Sequence, residues 1–263
     1  MQIDLDVPRT IKSHIMFRHR YRSGQRHLFR VLHSLSLYFP TTGYVQGMAS
    51  LAATLLCYYD EESCFIMMVR LFQLRNLERL YQPGFSGLVA ALSEFESEWL
   101  HGRDVAAKLA DVGMDAMSYG TRWYLTMFNY SIPFAAMLRV WDVYMLLGDP
   151  VLDTGVGSGG GGGVGDGGSG NGSGSAGAGV SSMARIQAPG ADGVLTDQSA
   201  GYNGAMDVLH ATSAALIDGM REIVLTQDFE GVMQCLTGWI PVRDEEVLMR
   251  VVKMEWRRHR AKK

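Results

Sequence analysis

Ile3-x-x-Asp6-x-x-Arg9 near the start of the chain and Gly43-Tyr44-Val45-Gln46-Gly47-Met48 further on are the two stretches that decide how this sequence reads. Arginine stays protonated and presents a planar fork of donors suited to phosphate oxygens. Glutamine carries both an acceptor and a donor, so it can orient a water. Neither is a good nucleophile or general base at neutral pH. Together they offer charge stabilisation and water positioning, the two contributions that phosphoryl transfer most needs from outside. Asp6 stands three residues before Arg9, a spacing at which a carboxylate can hold a guanidinium on a helix or turn. Pro8 disfavours the α region at Val7 and points to a turn or first helical turn there. Gly43 and Gly47 flank Gln46 and permit an unusual backbone and close approach of another molecule. Tyr44 reads as a residue that fixes this turn.

Working outward, residues 1–150 read as helices throughout. Ser23 can cap a helix carrying Leu28, Val31, Leu32, Leu35 and Tyr38 at three- and four-residue steps, stopped by Pro40. The next helix, from about Val45 to Tyr58, is apolar almost all round and should be central to the core. Asp60-Glu61-Glu62 opens another, with acids at its positive end. Residues 88–112 read as one long helix that Gly102 can break. Residues 115–128 and 133–147 form a helical pair, with Pro133 placed as a first-turn proline. No stretch alternates with period two, so no strands are expected and the fold class is all-α.

Residues 155–179 hold 15 glycines among 25 positions. Such a sequence cannot bury enough apolar surface to offset its ordering entropy, which predicts disorder. The tail offers three more helices, at about 203–225, 228–236 and 244–258, and Leu209, Leu216 and Ile223 mark an apolar face that needs a partner. The simplest partner is the first part of the chain. The division is therefore 1–154 and 202–263 as one domain, with 155–201 inserted in one of its loops. Long loops are tolerable because closure entropy grows slowly with length.

The ordered series of motifs resembles the TBC domain, the Rab GTPase-activating fold, whose signatures are IxxDxxR and YxQ. Ile3, Asp6 and Arg9 match the first, and Tyr44 and Gln46 the second, in the form GYxQGM. Trp123-Tyr-Leu-Thr-Met-Phe128, then Pro133, then Leu138-Arg-Val-Trp-Asp142 and Gly148 resemble its later block, and residues 206–256 fit its final helices. The family carries an RxxxW motif and one or two helices before IxxDxxR, so the chain reads as truncated at its front. The resemblance implies a multi-helix domain acting on a GTP-bound Rab-family small GTPase. Arg9 would be its arginine finger and Gln46 its glutamine finger, with Asp6, Tyr44, Gly43 and Gly47 as supports. GTP and Mg²⁺ would be carried by the partner, with no cofactor or metal of the chain's own. A cytoplasmic protein, reaching endomembranes through that partner, is the implied location. A non-catalytic Rab-binding or scaffolding module with the same fold is the alternative.

Other chemistries find less support. At 263 residues the chain can build a substantial core, and 47% apolar and 19% charged residues are ordinary for a globular protein. A net charge of −3 gives no general pull toward nucleic acid or membrane. Cys57, Cys64 and Cys235 form neither a disulfide framework nor a metal spacing, and Cys57 and Cys64 are expected to share a helix face. The N-terminal residues lack the pattern of a signal peptide, and no apolar run reaches membrane-spanning length. There is no GxxxxGK[ST], and the GxGxxG-like strings in the glycine tract follow no strand. Lys12, Arg18, Arg20, Arg22, Arg26 and Arg30 form a basic stretch without aromatic interleaving, which reads as a solvated face able to steer an acidic partner rather than as a nucleic-acid site. Trp123, Trp141 and Asp142 read as core aromatics beside a buried or capping carboxylate. Arg139 is expected to pair within the domain.

Overall fold

The computed structural model describes residues 2–20, 22–147 and 204–262. The glycine-rich insertion, the junctions around it and Gly148 lie outside the described residues. The rest forms twelve α-helices with short tight turns between them, and no strand occurs among the described residues. A short α1 (Gln2–Asp6) passes into a single 3-10 turn, Val7–Arg9, with Pro8 inside it. Then come α2 (Ser23–Tyr38), α3 (Met48–Leu56) and α4 (Glu61–Leu74). These three pack on one another. All nine residues of α3 are buried, as its apolar composition dictates, and Leu28, Val31, Leu32 and Leu35 of α2 are the stripe that covers it.

The chain continues through a 3-10 segment, Leu77–Tyr81, to α5 (Ser86–Glu94), α6 (Asp104–Asp111), α7 (Ala116–Leu125) and α8 (Phe134–Leu147). After the insertion follow α9 (Gly204–Gly219), α10 (Arg221–Thr226), α11 (Phe229–Thr237) and α12 (Glu245–Arg260). α9 packs on both α8 and α12. It is buried almost all round, and Ala205, Ala211, Ser213, Ala214 and Ala215 keep it slim enough for neighbours on several sides. Asp60, Asp115, Asp228 and Asp244 each cap the following helix by accepting a backbone N–H, for example Ser63 to Asp60 at 2.8 Å. Caps of this kind contribute about 1 kcal/mol each.

Several local expectations need correction. Ser23 is the first helical residue, and Arg22 takes the cap position with an extended backbone. α3 starts at Met48 rather than Val45, because Gly43 and Gly47 both take positive φ. Residues 88–112 are not one helix. α5 runs into a π turn, Phe95–Trp99, and Gly102 at φ +74° ends the segment before α6. Pro133 sits just before α8, where its carbonyl accepts from Met137 N–H at 2.9 Å. Cys57 ends α3 while Cys64 lies in α4, so they do not share a helix face. Ile223 is exposed, and Asp142 is exposed rather than buried or capping. Leu209, Leu216, Trp123 and Trp141 are buried as expected. Arg139 pairs with Glu246 at 2.7 Å.

Tyr81, Tyr119, Tyr124 and Tyr144 are buried, and burial raises each hydroxyl above its ordinary pKa. A group whose folded pKa is raised lends stability below its unfolded pKa, about 10 for tyrosine, and loses it as pH climbs toward the folded value. The domain is therefore expected to lose stability as pH rises above about 10, with these phenols ionising only as it unfolds. Phenolate absorbance followed alongside circular dichroism checks this. Ionisation of all tyrosines while the helical signal stays intact would contradict it.

Candidate functional site

Asp6 is the centre of the site. Its side chain is 4% exposed and ion-pairs with Arg9, whose side chain is 56% exposed. The other carboxylate oxygen accepts the hydroxyl of Tyr44 at 2.6 Å. Gln2 adds a third donor at 3.0 Å. A buried carboxylate is costly unless its lone pairs are filled, and here three side chains fill them. The Asp6 carbonyl in turn accepts Thr10 Oγ1 at 2.7 Å and Thr10 N–H at 3.0 Å, which closes the turn that carries Arg9. One residue thus fixes both the backbone and the guanidinium of the candidate finger. The i, i+3 pairing expected between Asp6 and Arg9 is present.

Tyr44 reaches Asp6 across a sequence separation of 38 residues. Burial first, and the neighbouring carboxylate second, raise its hydroxyl well above the ordinary pKa. It remains a phenol and a hydrogen-bond donor, which suits orienting Asp6 and not proton transfer. The turn that carries Tyr44 and Gln46 is held at both ends. Gly43 N–H donates to the Phe39 carbonyl at 2.7 Å, and Thr42 Oγ1 to Glu78 at 2.7 Å. Ser50 N–H and Oγ donate to the Gly47 carbonyl at 3.0 and 2.8 Å.

Gly47 has φ +113°, and a Cβ there would lie 2.7 Å from the Leu125 carbonyl oxygen. That contact brings the α3 entry against the end of α7. The same carbonyl accepts the buried Tyr81 hydroxyl at 2.6 Å, and Asn129 Nδ2 donates to the Ser50 carbonyl and to Thr54 Oγ1, both at 2.8 Å. Beyond α7 the chain turns sharply, with Met127 and Phe128 at φ +45° and +65°. Trp141 Nε1 donates to the Met127 carbonyl at 3.0 Å, and Phe128 N–H to the Trp123 carbonyl at 2.8 Å. The Trp141 indole and the backbone carbonyl at position 123 therefore hold a turn of positive φ whose continuation places Tyr130 at the site.

Arg9 and Gln46 line one open depression of about 280 Å³ with Asp6, Thr10, Gly47, Ser50 and Tyr130. Gln46 is exposed, and among the described residues its amide has no hydrogen-bond partner. A supported guanidinium and an uncommitted carboxamide thus face the same space. Of the six residues singled out from sequence, Asp6, Arg9, Gln46 and Gly47 line this depression directly. Tyr44 acts from behind through Asp6, and Gly43 shapes the turn. Thr10, Ser50 and Tyr130 were not foreseen. No local pattern marks Tyr130, which reaches the site through the positive-φ turn at Met127 and Phe128. Thr10 has a weak signal, since threonine can bond the carbonyl four residues earlier.

The described residues thus form an all-helical domain that presents an arginine and a glutamine at one open depression. The chain is a member of the Rab-GTPase-TBC domain family, whose model matches residues 1–155. A TBC domain-containing protein of Schizosaccharomyces pombe is 39% identical over 256 residues, covering 97% of this chain and 49% of that protein. GTPase-activating protein GYP5 of Saccharomyces cerevisiae is 35% identical over 128 residues, 48% of this chain and 14% of its own length. This chain therefore spans about half the length of the first of these relatives and less of the second. The crystal structure of the Ypt/Rab-GAP domain of Gyp1p matches the whole of this chain and 73% of its own, with a TM-score of 0.65 at 13% identity, a likeness of fold. Among the described residues, no helix is long and apolar enough to cross a membrane.

The two glycines of the turn differ in what they tolerate. Gly43, at φ +62°, has open space where a Cβ would go. Gly43→Ala is expected to cost about 1 kcal/mol, the penalty of a left-handed backbone. Gly47→Ala adds a clash with the Leu125 carbonyl and is expected to cost about 2–4 kcal/mol. Urea denaturation of the two variants gives the ranking, and equal losses would contradict this account of the α3–α7 contact.

Proposed function

We propose that this chain accelerates GTP hydrolysis by a GTP-loaded Rab-family GTPase, contributing Arg9 and Gln46 in trans. The observation that carries this reading is the Asp6 carboxylate, which joins the Arg9 turn to the Tyr44–Gln46 turn and brings both functional groups to one open depression. The family membership and a relative named as a GTPase-activating protein support it.

On this reading the guanidinium of Arg9 faces the β- and γ-phosphates of GTP held by the partner. There it offsets negative charge as the bond to the leaving oxygen lengthens. Gln46 accepts a hydrogen bond from the attacking water and donates one toward the γ-phosphate, fixing the line of attack. Tyr44 and Asp6 hold the guanidinium's orientation before the partner arrives, so less ordering is needed on binding. GTP and Mg²⁺ would enter with the partner, and the metal would supply the remaining offset of phosphate charge there. Any approach to endomembranes follows from the partner's location.

Single-turnover GTP hydrolysis across a panel of purified Rab GTPases tests the proposal. Acceleration on at least one member is expected. Arg9→Ala should remove about three orders of magnitude or more of it. Arg9→Lys should recover little, because an ammonium lacks the fork that spans two oxygens. Gln46→Ala should lower the rate while binding to the GTP-loaded partner is kept. Binding by the unaltered chain with no acceleration on any Rab would overturn catalysis in favour of a binding module.

A further inference from the structure

Residues 7–59 contain Arg9, Lys12, Arg18, Arg20, Arg22, Arg26 and Arg30 and not one Asp or Glu, in a chain whose net charge is −3. Surfaces usually intersperse the two signs, so a long acid-free run is a feature to account for. Part of its charge is neutralised from outside the run. Arg9 pairs with Asp6, and Arg30 pairs with Glu61 at 2.6 Å. Lys12, Arg18 and Arg22 are exposed. Asp4 shares the adjoining pocket with Arg20, Arg26 and the Glu61-paired Arg30.

The part of this run that directly follows Arg9 is a loop, residues 10–20, built from successive turns. It is not slack. Phe17 is fully buried, and its carbonyl accepts Gln25 Nε2 at 2.7 Å from a side chain that is itself buried. His14 N–H donates to the Ile11 carbonyl at 2.9 Å, and Phe17 N–H to the His14 carbonyl at 3.0 Å. Gly24, at the start of α2, lets that helix lie against Met16, where a Cβ would stand 2.2 Å from the Met16 carbonyl oxygen. Thr10, at the loop's other end, is tied to Asp6. Anchored at both ends and in the middle, the loop displays Lys12, His14, Arg18 and His19 outward. Ile15 stands among them with 73% of its surface exposed.

We propose that residues 10–20 form a rigid docking loop for an acidic face of the GTPase beside its nucleotide site. Lys12 and Arg18 supply the charge and Ile15 the apolar contact. The inference rests on the reading of Arg9 as the group that enters that site. The loop begins where Arg9's turn ends, and Thr10 lines the same depression as Arg9 and Gln46, so its first residues stand beside the nucleotide once Arg9 is inserted. A triphosphate and acidic flanks attract such a loop at a distance, and a preformed loop adds little ordering cost on contact. An anionic lipid surface would meet the same charges, but the loop's tie to the Arg9 turn through Thr10 favours the GTPase as its occupant.

Stopped-flow association of the full chain with Rab GTPases loaded with a non-hydrolysable GTP analogue tests this, at about 50 and 300 mM salt, where screening differs strongly. Sedimentation with phosphatidylserine vesicles runs in parallel. Lys12→Glu/Arg18→Glu changes exposed residues only, and its thermal melt serves as the folding control. At low salt it should associate about tenfold more slowly or worse, with the gap narrowing at high salt. Ile15→Ser should speed dissociation and leave association unchanged. Equal association of wild type and charge-reversed variant at both salts would overturn the proposal. So would binding to the vesicles with none to any GTPase. Arg9→Ala separates the two readings. If it abolishes hydrolysis while charge reversal leaves association unchanged, the finger stands and the docking loop falls; if it hydrolyses GTP as the wild type does, the finger falls and takes with it the loop's place beside the nucleotide.

Discussion

The buried carboxylate of Asp6 is the interaction on which the site depends. It ion-pairs with Arg9, accepts from Tyr44 and Gln2, and through its own carbonyl holds Thr10. It links the turn carrying Arg9 to the turn carrying Gln46 by side-chain bonds, beside the burial of Ile3 and Val7 that seats the first turn in the core. Its burial is what makes the arrangement specific. A half-satisfied buried carboxylate is strongly disfavoured, so the partners are held to one geometry and not merely attracted to it.

Behind this pair of turns stands a second layer that fixes α3 against the end of α7. Gly47 allows the Leu125 carbonyl to come close, Tyr81 binds that same carbonyl, and Asn129 ties the following turn to Ser50 and Thr54. The strained turn at Met127 and Phe128 is held by Trp141 and by the Trp123 carbonyl. Trp141 and the backbone at position 123 therefore serve the site at one remove. They do not line it; they position the chain that carries Tyr130.

Much of this was legible in the sequence, for identifiable reasons. α2 could be read because its apolar residues recur at helical spacing, α3 because it is apolar almost all round, and the start of α4 because acids at a helix's positive end are a local signal. Asp6 and Arg9 could be paired because three residues on a turn bring side chains together. The bond from Tyr44 to Asp6 spans 38 residues, and the sequence suggested only that Tyr44 was a support, not what it supported. The misreadings have one common cause. Helix ends at Met48, Glu94 and Gly102 are set by positive φ or by packing on a neighbour, and Ile223 is exposed because a periodic stripe says which residues align, not whether another helix covers them. Tyr130 and Ser50 belong to the site only through contacts between distant elements.

The central claim is that Asp6 and Tyr44 act as one unit to join the two turns. A double-mutant cycle with Asp6→Asn, Tyr44→Phe and the combination, read by urea unfolding and by single-turnover GTP hydrolysis, tests it most directly. The account predicts a coupling of about 1–3 kcal/mol between the two substitutions in stability, with the double variant little slower than either single one in hydrolysis. Strict additivity in both readouts would contradict it and would leave Arg9 and Gln46 as independently placed surface residues.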